Sequence, residues 1–227
     1  MKRFSIFLLF LIVGCALNAQ DDYRNYVLSR TMLNGTGTSY LDNITYYDGL
    51  GRPFQTVQKA VQSGLPVNKN LATLQEYDAA GREWNSWLPT FAGSSDYLAP
   101  AGIKSSAPGN YDNDSRPYSQ PVYKASPLNR LTAQYGPGAA WYNAGRPVKT
   151  EYLLNTNASP LKCIKYGVSS TGGLTGNSTT FYTSGELSVV KTTDEDLNVS
   201  YSFTDKQGRT VLTRQMNNSE EHDTYYI

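Results

Sequence analysis

One short pattern constrains this chain more than any other feature. Tyr47-Asp48-Gly49-Leu50-Gly51-Arg52 recurs as Tyr77-Asp78-Ala79-Ala80-Gly81-Arg82. A third copy, Thr204-Asp205-Lys206-Gln207-Gly208-Arg209, keeps Asp, Gly and Arg but has Thr for Tyr. Tyr46 precedes the first copy and Tyr201 and Phe203 the third, and a strand-like run follows each: Phe54-Gln55-Thr56-Val57, Glu83-Trp84-Asn85-Ser86-Trp87 and Thr210-Val211-Leu212. The spacing has a physical reading. Asp at the first turn position accepts the turn's own N–H groups, and Gly near the end adopts the left-handed backbone that closes a hairpin. Arg then opens the return strand, where its stem can lie along neighbouring Tyr rings. A chain punctuated this way folds as antiparallel hairpins.

The remaining sequence agrees. Leu197-Asn198-Val199-Ser200-Tyr201-Ser202-Phe203 alternates apolar and polar residues, so one face is buried and the other wet. Similar strand signals cover Tyr26–Met32, Asn43–Asp48, Pro53–Val61, Thr73–Tyr77, Pro121–Lys124, Val148–Leu154, Leu161–Tyr166, Glu186–Thr192 and Arg209–Met216. Sustained helical periodicity is scarce. The fold class is therefore all-β, with an N-terminal β domain carrying long irregular loops. Ala92–Gln120 reads as one such loop, with room for a short helix, and Ser169–Thr180 as a polar, Gly-rich boundary. The mature chain divides into 23–155 and 156–227.

The first 19 residues read as a Sec-type export signal. Met1-Lys2-Arg3 is basic, Phe4–Val13 is almost wholly apolar, and small residues precede Gln20. About ten apolar residues are too few to span a bilayer, so no membrane span is expected after cleavage. Cleavage after Ala19 leaves Gln20 first. Ile12-Val13-Gly14-Cys15 resembles a lipobox and makes Cys15 the lipidation candidate. The protein is expected to be secreted or attached to the cell envelope. It then retains Cys163 as its only internal cysteine, without a disulfide framework. The 20 Lys+Arg nearly balance 19 Asp+Glu, which argues against a nucleic-acid partner held through phosphates.

The repeated Tyr-Asp-x-x-Gly-Arg resembles the YD repeat of RHS-repeat proteins, which are large exported bacterial proteins. Ser126-Pro127-Leu128-Asn129-Arg130 and Tyr135-Gly136-Pro137-Gly138-Ala139-Ala140-Trp141 resemble the uncharacterised domain that precedes such repeats. The resemblance implies a spiralling β-sheet and a structural or interaction role, contributing to a β-shell or to cell-surface attachment. It carries over no catalytic residue and no cofactor. The implied partner is the remainder of the repeat shell, in cis or as a neighbouring chain. His222–Ile227 reads as the opening strand of a further YD unit, as expected for a truncated or partial member of the family.

Other candidates are few. The single His222 sits among acidic residues and reads as a solvated turn. Asp194-Glu195-Asp196 reads as a polar turn, and Asp112-Asn113-Asp114-Ser115 lacks the Gly and terminal Glu of a calcium loop, so no metal site is expected. Gly172–Gly176 lacks the Lys and following helix of a phosphate loop. Cys163 reads as a small buried hydrophobe. Trp84, Trp87 and Trp141 could stack on sugar rings, which gives a second reading, a secreted module that binds cell-surface glycan. An enzyme ranks a distant third.

Overall fold

The structure is a computed structural model, which describes residues 24–62, 69–93, 95–176 and 179–227; the export segment, with Cys15 and Ala19, lies outside them. The chain forms strands β1 (Asn25–Met32), β2 (Tyr40–Tyr47), β3 (Pro53–Gln62), β4 (Lys69–Tyr77) and β5 (Glu83–Phe91). Helix α1 (Pro100–Asn110) follows, then β6 (Tyr118–Tyr123), β7 (Leu131–Tyr135), the short α2 (Ala139–Asn143) and β8 (Val148–Leu154). A small hairpin, β9 (Gly167–Val168) and β10 (Leu174–Thr175), interrupts the run. The chain closes with β11 (Ser188–Thr193), β12 (Val199–Thr204), β13 (Thr210–Asn217) and β14 (Glu220–Tyr225). The protein is mainly β.

Its topology is simple. Apart from the β9–β10 hairpin, twelve strands pair antiparallel in sequence order, β1 to β8 and then β11 to β14. Neighbours in the sheet are neighbours in the chain, some joined by tight turns and others, such as β5–β6 through α1 and β8–β11 through the β9–β10 hairpin, by longer connections, so the sheet is a continuous meander. The division at 155/156 falls beside β8, which pairs along its length with β11, from Leu154 opposite Ser188 to Lys149 opposite Thr193. Two buried clusters lie on either side of that seam. Ile44, Tyr46, Val57, Ala72, Leu74, Ala92 and Ile103 form the first. Cys163, Leu187, Val189, Tyr201, Phe203 and Leu212 form the second.

One expectation is sharpened and one corrected here. Within Ala92–Gln120, the short helix that the sequence leaves room for is α1, and β6 begins at Tyr118. Pro100 presets the first turn of α1, and Ile103 and Ala107, one helical turn apart, are fully buried against the sheet. The connection before α1 is tied down by side chains from the sheet. The Tyr46 hydroxyl donates to Asp96 O at 2.9 Å, Asn70 Nδ2 donates to Ser95 O at 2.9 Å, and Gln55 makes a two-way bond with the Leu98 backbone. Leu161–Tyr166 forms no strand; it makes a single bridge, Ile164 to Phe181. Its apolar side chains pack beneath the second cluster, where Cys163 is 1% exposed, and a pairing ladder is not needed to bury them. The strand β7 was not anticipated. Its five residues are too few for alternation to stand out.

Candidate functional site

The repeated hexapeptides become three near-identical turns. At the first, Asp48 Oδ1 accepts the N–H of Leu50 and of Arg52, both at 2.9 Å, while Oδ2 accepts Arg52 Nε at 2.8 Å and lies 2.7 Å from the terminal nitrogen Nη2. Asp78 does the same with Ala80 and Arg82, and Asp205 with Gln207 and Arg209. The backbone closes by Gly51 N–H to Asp48 O at 3.0 Å and Asp48 N–H to Arg52 O at 2.9 Å. This is a three-residue hairpin loop with a left-handed residue forming a bulge. Gly81, at φ 79°, has a further reason to lack a side chain: a Cβ there would sit 3.1 Å from the Arg52 guanidinium of the preceding turn.

Electrostatics lock the same geometry. The backbone N–H of Arg52, Arg82 and Arg209, seconded by each guanidinium, holds Asp48, Asp78 and Asp205 below the usual carboxylate range.

A fourth turn of this kind stands where the sequence reads only a polar turn. Asp194 Oδ1 accepts the N–H of Asp196 at 2.9 Å and of Asn198 at 2.8 Å, and Oδ2 accepts Asn198 Nδ2 at 2.9 Å. Leu197 occupies the glycine position at φ 71°, and Asn198 replaces the arginine. The one signal available was the five-residue spacing from Asp194 to Asn198, with the two diagnostic residues changed.

The turns are linked by stacking. Arg52, opening β3, lies over the Tyr77 ring at 4.2 Å, and the Tyr77 hydroxyl donates to Pro53 O at 2.7 Å. Arg82, opening β5, lies over Tyr123 at 4.4 Å, whose hydroxyl donates to Glu83 O at 3.1 Å. Arg130 lies over Tyr152 at 4.8 Å. It follows Asn129 at φ 50° and closes its loop by Lys124 N–H to Arg130 O at 2.8 Å, so Ser126–Arg130 is an enlarged version of the same turn. Each arginine thus covers a tyrosine on the following strand. Arg209 has its aspartate but, among the described residues, no stacked ring; its side chain is 75% exposed, against 30% and 26% for Arg52 and Arg82.

The second quoted motif is also structural. Ala139 N–H donates to both Asp114 oxygens at 3.0 Å, and Gly138 N–H to Arg116 O at 2.8 Å, which seats α2. Arg116 lies between the Tyr142 ring at 3.5 Å and the Tyr118 ring at 4.6 Å.

The three tryptophans do not form one platform. Trp87 points into the first core, donates to Glu76 at 2.9 Å and packs on Tyr118 at 4.6 Å. Glu76 also takes Asn85 at 3.0 Å and pairs with Lys104; burial pulls its carboxyl up, but these donors together leave it below the usual range. Trp141 sits on α2 with Arg146 at 6.0 Å. Trp84 lines a groove with Ser86 and Tyr123. Cys163 is free, and burial pushes its thiol up to about 12. His222 stands on β14, exposed, rather than in a turn. Arg214 is 3% exposed; it grips Asp223 through two 2.7 Å contacts, approaches Glu221 at 3.0 Å, and donates to Pro160 O at 2.6 Å. Among the described residues, no group of three His, Cys, Asp or Glu is placed to hold a metal ion, and no helix is long and apolar enough to cross a membrane.

Fold and edge together define the class: an antiparallel β-meander whose hairpins are closed by aspartate-anchored turns clamped by arginine. Residues 20–154 match the family described as Domain of unknown function (DUF6443), and the chain belongs to that family. No curated protein and no solved structure matches it.

Proposed function

We propose that this chain is a non-enzymatic structural and interaction segment of an exported protein of the RHS/YD-repeat type, contributing to a β-shell or to surface attachment. One observation carries the reading. The same aspartate-anchored turn is used four times along a sheet whose strands follow strict chain order. Such a sheet grows by adding hairpins, with each turn arginine receiving a ring from the next strand.

Arg209, whose side chain is 75% exposed, is where a further ring of such a sheet would stack. The partner in this proposal is the remainder of the repeat sheet, in cis or as a neighbouring chain. The export route is part of the same reading, with the mature protein beginning at Gln20 or at an acylated Cys15.

A photo-crosslinking amino acid at Gln207 or Thr224, in the natively expressed protein, tests the partner. The reading expects a crosslink to a polypeptide segment bearing Tyr-Asp-x-x-Gly-Arg turns, identified by mass spectrometry. Crosslinks confined to the chain's own residues 24–227 would refute it.

A further inference from the structure

A groove on the sheet face opposite the first core holds unused hydrogen-bonding capacity around an indole ring. The ladder sets Gln75, Ser86 and Ser119 side by side, on the face away from Leu74, Trp87 and Tyr118. Trp84 stands at the bulge where the β4–β5 register shifts, and it lines the groove beside them. Ser86 stands opposite Gln75 on β4 and opposite Ser119 on β6, and Pro121 stands opposite Gln134 on β7. Three adjacent strands therefore lay Gln75, Ser86 and Ser119 in one polar row beside Trp84, with Tyr123 and Gln134 closing the groove. Its volume is about 340 Å³, within the range of small-ligand clefts of about 300–1,000 Å³.

Among the described residues the Trp84 indole N–H, the Ser86 and Ser119 hydroxyls and the Glu83 carboxylate hold no hydrogen-bond partner. Gln75 and Gln134 each spend their nitrogen on a neighbouring backbone carbonyl, which leaves their oxygens to accept. Among the described residues no cation covers the Trp84 ring. The guanidinium of Arg82, the residue before Glu83, is committed to Asp78 and Tyr123.

We propose that this groove binds a neutral pyranose, the terminal ring of a glycan, with Trp84 as its stacking surface. A pyranose has an apolar C–H face that packs on an aromatic ring and a rim of hydroxyls that both donate and accept. The groove offers the complement: one indole face, two hydroxyls that do both, two amide oxygens and a carboxylate that accept, and an indole N–H that donates. Glu83, unpaired among the described residues, disfavours an acidic sugar or a phosphorylated ligand. Trp87 and Trp141 take no part.

The test uses the whole chain with methyl β-glucopyranoside, methyl β-galactopyranoside and N-acetylglucosamine, observed by saturation-transfer NMR and tryptophan fluorescence. At least one of the three is expected to bind, with transfer concentrated on the C–H protons of one ring face. Trp84→Ala should weaken that binding by about tenfold or more, some 1.4 kcal/mol, while Trp141→Ala leaves it unchanged. Ser119→Ala and Gln134→Ala should each weaken it severalfold and carry the test if Trp84→Ala does not fold. No transfer to any of the three sugars at millimolar concentration overturns the proposal. So does binding that is undiminished in folded Trp84→Ala, or in both polar variants. None of these outcomes bears on the crosslink at Gln207 or Thr224, so the two readings fail separately.

Discussion

Replacing Leu197 by glycine should stabilise this protein, although it removes a leucine. Leu197 holds the left-handed position of the Asp194 turn, at φ 71°, where Gly51, Gly81 and Gly208 stand in the other three. A side chain in that conformation costs about 1–2 kcal/mol, because its Cβ crowds the following carbonyl oxygen. Leu197 is 68% exposed, so truncation forfeits little burial. Glycine gives the unfolded chain extra freedom worth about 0.4–1 kcal/mol. The difference leaves Leu197→Gly more stable by roughly 0.5–1 kcal/mol. With a urea slope of about 2 kcal/mol per molar, the midpoint rises by about 0.25–0.5 M, and the melting temperature by roughly 1–4 °C. The mirror change, Gly208→Leu, should lower stability by a similar amount; a Cβ there meets nothing within 4 Å, so the cost is conformational. Urea unfolding followed by tyrosine and tryptophan fluorescence reads both. A Leu197→Gly midpoint that stays or falls at unchanged slope would refute the equivalence of the four turns.

Three further outcomes are expected. The turn aspartates are held below their ordinary value of 3.8, so their contribution is complete above that value and fades as pH falls through the lower folded value. The urea midpoint should therefore be flat above about pH 5 and drop below about pH 4. A triple Asp→Asn variant at 48, 78 and 205 should start lower and respond less to acid. Arg214→Met leaves Asp223 and Glu221 without their cation, and should cost about 3 kcal/mol in the same assay, the lower end for a broken buried pair because both carboxylates remain partly wet. Cys163, buried and with its thiol pushed up to about 12, should resist iodoacetamide at mildly alkaline pH until urea unfolds the chain. Labelling that runs ahead of unfolding would mean the second core opens locally.

Much of the architecture was legible because a tight turn concentrates its requirements. The anchoring carboxylate, the left-handed glycine and the clamping arginine must all fall within five residues, so Asp48–Arg52, Asp78–Arg82 and Asp205–Arg209 stand out in a single sequence. The Asp194 turn kept the geometry while losing two of the three markers, and composition alone could not reveal it. Helix α1 was legible only as room for a short helix within a loop. It draws on only two fully buried residues, Ile103 and Ala107, amid Pro, Gly and Ser, so its stability comes from the sheet beneath rather than from propensity. The tryptophans could not be sorted without strand register. Trp84 and Trp87 are three residues apart, and which one faces the core depends on the irregular pairing of β4 with β5. Leu161–Tyr166 carried a strand's composition, but its apolar side chains find their burial under the second cluster.

Under the proposed function this sheet is a scaffold continued by more strands of its own kind. The most direct test is the intact mass and oligomeric state of the natively expressed protein, isolated without denaturation. The expected product contains, or remains bound to, polypeptide with further Tyr-Asp-x-x-Gly-Arg hairpins, and its β14 amides are protected from hydrogen exchange. A lone monomer of residues 20–227 or 15–227, with the β14 amides exchanging freely, would contradict it.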